Sequence, residues 1–174
     1  MTNAHFTRLE QYRDIETLRH VADSGSMAGI AEMGRDNART PMQWDSSPNA
    51  GFTTGTPWLD VNENFRMINA AAERAEPESV FHHYRRLIAL RHDDPVVALG
   101  DFTMLLPDDE HVYAFTRTLG DVTLTVLGNF SGSLQDLQLA DDPGELILSN
   151  YAAPAAGLRP WEARVHRRVG LPPH

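Results

Sequence analysis

Cysteine is absent from the 174 residues. Disulfides and cysteine-ligated zinc are therefore excluded, and a cytoplasmic location is the expectation. Positive charge is scarce: 15 Lys and Arg against 24 Asp and Glu give a formal net charge of -9. That balance makes nucleic acid and anionic membranes poor partners, and the late pair Arg167-Arg168 is too short to offset it. No apolar run approaches the ~18 residues of a membrane span. Met1–His5 lacks the basic start and apolar core of a signal peptide. Internal repeats, phosphate loops and dinucleotide fingerprints are missing. His82 and His83 are adjacent, whereas a helical two-histidine metal site needs i, i+4 spacing. No metal and no cofactor are expected.

What remains is a chain of one-domain size, able to bury roughly 70% of its extended surface. Leu9, Tyr12, Ile15 and Leu18 predict a helix over 6–22, stopped by Asp23-Ser24-Gly25. Residues 23–76 show little regular pattern beyond a short helical piece near Asn69–Glu73. A segment that long and irregular is usually functional or anchored to something larger. Val80, Tyr84, Leu87 and Ile88 predict a helix over 78–92, with Pro77 at its start and Arg85, Arg86, Arg91 and His92 in its later half, where cations suit the dipole. After Pro95 the period changes to two. Val96–Leu106, His111–Thr118, Val122–Phe130, Leu134–Leu139, Glu145–Asn150 and Trp161–Val169 read as strands separated by turn clusters. Short strands and short turns predict an antiparallel sandwich.

Within the irregular segment, Gly34–Asp45 followed by Asn49–Thr53 mixes turn residues with Met42, Trp44 and Phe52, which favour burial, and with Arg35 and Arg39. Asp36 and Asp45 could be weighed as a glycosidase carboxylate pair, but aspartates in turn contexts more commonly cap their own backbone. Arg35 and Arg39 could meet a carboxylate or sugar hydroxyls, or could clamp the loop.

Gly34–Asp45, Asn49–Thr53 and Pro57-Trp58-Leu59 closely resemble the alpha-amylase superfamily (glycoside hydrolase family 13), in its oligo-1,6-glucosidase and alpha-glucosidase branch. The resemblance continues through Val61-Asn62, Ile68-Asn69, Ser79-Val80-Phe81 and Leu87–Arg91. It takes in Met1-Thr2-Asn3 and Tyr12–Thr17 before these, and Leu158–Ala163 near the end. It implies retaining hydrolysis of terminal α-glucosidic bonds on a (β/α)8 barrel, by an aspartate nucleophile, a glutamate acid/base and a further aspartate. Those three belong to motifs that do not occur here, so no catalytic residue is expected in this chain, and the chain alone is expected to be inactive. The implied layout is mixed. Residues 1–94 correspond to the loop and helices after the eighth barrel strand, and 95–174 to an all-β antiparallel C-terminal domain. Arg35 is implied to lie on the substrate side of the pocket, with Arg39, Gln43 and Trp44 as structural loop residues. An oligosaccharide would be bound only in the context of the full barrel, which a partner chain could supply. Val21–Met33 is shorter than the helical insert such enzymes usually carry. The rival expectation is a non-enzymatic carbohydrate-binding or subunit-docking module, with Trp58 and Trp161 as sugar contacts.

Residues 95–174 carry the ladder-forming pattern and 1–76 do not. Amides in 95–174 are therefore expected to exchange more slowly with deuterium than those in 1–76, as measured by native-state hydrogen exchange. Equal protection in both would contradict this.

Overall fold

A computed structural model describes residues 2–137, 139, 141–153 and 155–170. The backbone divides into two compact units, one up to His82 and one from His83 onward. Met1, in the motif Met1-Thr2-Asn3, lies outside the described residues.

In the first unit, the expected helix over 6–22 is two pieces. Leu9–Gln11 is a 3-10 turn, and α1 spans Ile15–Ser24. The break has local causes. Gln11 Oε1 accepts the amides of Thr7 and Arg8, at 3.1 and 3.0 Å. The Asp14 side chain then caps the new helix by accepting the Thr17 N–H. Gly25, left-handed at φ 67°, closes it. Ile15 and Leu18 are exposed, so they do not form the expected apolar face; Thr17 is the buried residue of α1. Tyr12, ahead of the helix, is buried against Phe6 at 5.5 Å between ring centroids, and its hydroxyl donates to the Phe6 carbonyl. Ala4, Phe6, Tyr12, Ile30 and Leu59 form a small core. Short helices α2 (Ile30–Met33) and α3 (Ala70–Ala75) interrupt the otherwise irregular chain, α3 being capped by Asn69. Helix α4 (Val80–Asp93) forms where its periodicity predicts, and the division between units falls within it. None of its residues is buried, and Val80, Tyr84 and Ile88 are exposed.

The second unit is built on one five-stranded antiparallel sheet in the order β1-β2-β3-β5-β4. The strands are β1 (Asp101–Met104), β2 (Val112–Leu119), β3 (Val122–Asn129), β4 (Glu145–Ser149) and β5 (Ala163–Val169). Two of the expected strands differ. Val96 to Leu99 lies in a helix, α5 (Pro95–Leu99), because Asp94 accepts the Val96 N–H and Pro95 occupies the first turn. Leu134–Leu139 forms no strand among its described residues and contributes one bridge, Gln135 to Leu158; Gln138 lies outside the described residues. Alternation works as expected on β2. Val112 and Ala114 are buried with Leu127 and Leu158, while Tyr113 faces outward.

Just before β5, Glu162 is fully buried between two arginines. Its carboxylate receives Arg159 Nε at 3.1 Å and Nη2 at 3.0 Å, and Arg164 Nε at 2.8 Å and Nη2 at 3.1 Å. The Arg159 amide adds a further bond at 2.8 Å. Burial alone would raise the Glu162 pKa. The hydrogen bonds from Arg159 and Arg164 outweigh burial and bring it down from 4.5 to about 2. Its contribution to stability is therefore complete above about 4.5 and is lost as pH falls toward about 2.

Glu162→Gln is expected to lower stability by about 3 kcal/mol at neutral pH, since it strands two guanidinium groups. In urea unfolding, the gap to the unsubstituted protein should narrow as pH falls below about 4.5. A gap independent of pH would contradict the assignment.

Candidate functional site

The segment opening at Gly34 is organised by two buried carboxylates. Asp36 is fully buried. Its Oδ2 accepts the amides of Arg13 at 2.6 Å and Asp14 at 2.8 Å, tying this loop to the start of α1. It therefore does not cap its own turn, as its turn context suggested. Its Oδ1 has no hydrogen-bond partner and lies 3.6 Å from Arg39 Nη1. Asp45 does make the expected local turn, accepting the Ser47 amide at 2.8 Å and the Ser47 hydroxyl. The Ser47 hydroxyl, followed by its amide, holds the Asp45 pKa below the usual carboxylate range. Both aspartates are thus committed to structure and offer no catalytic pair.

Asp14 is the centre that the sequence reading missed. Its Oδ2 accepts the Thr17 amide at 3.0 Å and hydroxyl at 3.1 Å. Its Oδ1 accepts Arg35 Nε at 3.1 Å, Arg35 Nη2 at 3.0 Å and Arg39 Nη1 at 3.4 Å. Glu16 also meets Arg35 Nη2, at 3.1 Å. Burial disfavours the Asp14 charge, but the Thr17 bonds and Arg35 together hold its pKa below the usual range. The available signal is an aspartate, Asp14, in N-cap position ahead of Ile15-Glu16-Thr17, masked by the apolar spacing of Leu9, Tyr12, Ile15 and Leu18, which predicts a helix running through it.

The four residues implied by the resemblance occupy distinct places. The Arg35 side chain is 52% exposed and lines a shallow recess of about 300 Å³ with Asp14, His20, Ile30 and Met33. Arg39 is also partly open, its guanidinium between Asp14 and Asp36. Gln43 Nε2 donates to Asn64 Oδ1 at 2.9 Å and to the Ile68 carbonyl at 2.6 Å. The carbonyls of Gln43 and Trp44 accept the amides of Ala70 and Ala71, each at 2.9 Å, which satisfies donors in the first turn of α3. Trp44 contributes backbone, and its ring stays exposed, as do Met42, Phe52 and Trp58. The burial that these side chains favour is not provided within the described residues.

The loop shape itself is tightly specified. Asn49, Ala50 and Gly51 are consecutive left-handed residues, at φ 53, 56 and 66°. The Ala50 carbonyl receives the amides of Trp44 and Asp45, and a side chain at Gly51 would lie 2.8 Å from the Asp45 carboxylate. A larger concavity of about 620 Å³ lies between Ala4–Thr7, Ser46–Asn49 and Pro57–Arg66. Among the described residues, no group of three or more histidines and carboxylates is placed to hold a metal. No helix among them is long and apolar enough to cross a membrane.

Residues 1–100 match the alpha-amylase catalytic-domain family, and a pairwise match extends the likeness to nearly the whole chain. An oligo-1,6-glucosidase of Parageobacillus thermoglucosidasius is 46% identical over 99% of this chain and 34% of its own length. Among solved structures, trehalose-6-phosphate hydrolase from Bacillus licheniformis superposes with a TM-score of 0.84, at 33% identity over 96% of this chain and 34% of that one. Isomaltulose synthase from Erwinia rhapontici gives a TM-score of 0.81 at 36% identity, over 96% of this chain and 33% of that one. The chain belongs to the alpha-amylase family, in the branch that holds oligo-1,6-glucosidases and alpha-glucosidases. It spans about a third of the length of these relatives.

Asp14→Asn is expected to weaken the grip on Arg35 and Arg39 and to destabilise the first unit at neutral pH. The Asp14 pKa is lowered on folding, so its charge contributes stability above the unfolded value of 3.8 and loses that contribution below it. The deficit of the variant should therefore shrink on acidification through that value, as read by circular dichroism during urea unfolding. A constant deficit would argue against a charged Asp14 clamp.

Proposed function

We propose that this chain is the C-terminal part of a retaining alpha-glucosidase of the oligo-1,6-glucosidase type, acting on terminal α-glucosidic bonds of short oligosaccharides. The observation that carries the reading is the 46% identity with an oligo-1,6-glucosidase over nearly the whole chain. Cleavage with retention needs a carboxylate nucleophile and a second carboxyl group about 5 Å away as acid/base. Those groups belong to motifs outside these residues, and Asp36 and Asp45 are occupied with backbone contacts. The layout we propose sets residues 1–94 after the eighth strand of a (β/α)8 barrel, with 95–174 as the appended β domain.

In this reading Arg35 supplies the substrate side. Its guanidinium is half-open to the recess while Asp14 and Glu16 fix its orientation, which suits a donor to sugar hydroxyls. Arg39, Gln43 and Trp44 hold the loop that carries it. The lack of cysteine suits a reducing, cytoplasmic compartment. The exposed rings of Trp58 and Trp161 favour a second reading, a non-enzymatic module that binds carbohydrate or docks on a barrel-bearing chain.

The purified 174-residue chain is expected to release no glucose from isomaltose or p-nitrophenyl glucoside. A glucose signal that co-purifies with the chain and survives repeated fractionation would overturn the division of labour. Co-elution with a barrel-bearing protein that restores hydrolysis would support it.

A further inference from the structure

The strongest unexplained feature lies in the second unit, at the turn leading into β5. The Glu162 amide bonds to the Arg159 carbonyl at 3.0 Å, closing a four-residue turn of Arg159, Pro160, Trp161 and Glu162. Proline at the second position followed by a left-handed third position is the type II pattern, in which that third residue is normally glycine or asparagine. Here it is Trp161, at φ 60°. A bulky side chain in that region is a genuine conformational outlier. Burial among the described residues does not compensate it, because Trp161 is 62% exposed there. A strained residue persists only where its surroundings over-determine the backbone, and such positions concentrate at ligand clamps and functional sites.

The surroundings do over-determine it. The Trp161 amide donates to the Ser131 carbonyl at 3.2 Å, and its own carbonyl accepts Asn150 Nδ2 at 2.8 Å. Tyr151 Oη donates to the Pro160 carbonyl at 2.9 Å. The buried Glu162, gripped by Arg159 and Arg164, anchors the next residue. Buried Asn129 bonds through its side chain to the Leu158 and Arg159 carbonyls, at 3.2 and 2.9 Å, and fixes the other end. The Arg159 guanidinium carbon lies 4.0 Å from the Tyr151 ring centroid, which stiffens one flank of the turn. The network holds an indole in solvent in a conformation the backbone disfavours.

We propose that Trp161 is a preset stacking platform for a neutral sugar ring, a carbohydrate-binding site carried wholly by the β unit. An indole face offers a broad apolar surface of low conformational entropy, which fits the C–H face of a pyranose. The net charge of -9 disfavours anionic planar ligands such as nucleotides. The choice of sugar over other neutral rings rests on the proposed function. The binding itself needs no hydrolysis, so an inactive chain leaves the test intact.

The chain has three tryptophans. Trp44→Phe with Trp58→Phe leaves Trp161 as the sole indole reporter. Titration of that protein with maltotriose and with isomaltotriose should give a saturable emission change with at least one of them. In ligand-observed NMR on the otherwise unchanged chain, Trp161→Gly should weaken binding by about tenfold or more. The same variant should unfold at a higher urea midpoint, because glycine accepts the left-handed conformation without strain. No saturable change with either trisaccharide would overturn the proposal. So would equal sugar binding by Trp161→Gly. A lower urea midpoint for that variant would also overturn it, showing that the indole is retained for packing.

Discussion

The first unit depends on two carboxylates, Asp36 and Asp14, taken out of water and gripped by donors from other parts of the chain. Asp36 holds the backbone that leads into α1, and Asp14 caps that helix while gathering Arg35 and Arg39. Burying a carboxylate is tolerable only when donors replace its hydration. Here the donors come from segments about twenty residues apart, so satisfying the charge also closes the loop. With few regular ladders in this unit, the irregular segment takes its shape from these bonds and from the left-handed run Asn49-Ala50-Gly51. The open guanidinium of Arg35 is a consequence of the same arrangement: one side is spent on Asp14 and Glu16, and the other faces solvent.

The second unit solves the same problem by different means. Its sheet meets backbone demand through ladders, and its small core gathers about Ala114, Leu127 and Leu158. Its most deeply buried acid among the described residues is Glu162, held between Arg159 and Arg164 next to the turn that presents Trp161. In both units a buried acid is placed where the chain must be held in a definite non-repetitive shape. Such ion pairs contribute modestly to net stability but penalise alternative arrangements that would leave a charge unpaired.

Repetitive structure was legible where the period was clean. The strands of Val112–Leu119, Val122–Asn129 and Glu145–Ser149 and the helix α4 formed near their expected places. Periodicity failed where one capping residue overrode it. Asp14 restarted the first helix, and Asp94 with Pro95 turned an apolar run that reads as strand into α5. The Gly34–Asp45 motif pointed to the family, and the exposure of Trp44, Met42 and Phe52 agrees with the expectation that this segment is anchored to something larger. Arg35 was visible as a candidate through its place in the Gly34–Asp45 motif, which the resemblance sets on the substrate side; the residues alone left it open between a sugar donor and a loop clamp. Its anchor was not visible, because Asp14 lies 21 residues earlier and only the fold brings the two together. Trp161 was legible, with Trp58, as a candidate sugar contact, but its glycine-like conformation is a property of the turn and not of the residue.

In the function proposed above, the first unit is the non-catalytic wall of a sugar site and Arg35 is its donor toward substrate. The most direct measurement is kcat/KM for isomaltose in a polypeptide that carries a family barrel ahead of this chain, comparing Arg35 with Arg35→Ala. Loss of a charge-assisted hydrogen bond to substrate predicts a fall of about tenfold or more, with the folded structure unchanged by circular dichroism. An unchanged kcat/KM would place Arg35 outside the site and contradict the account.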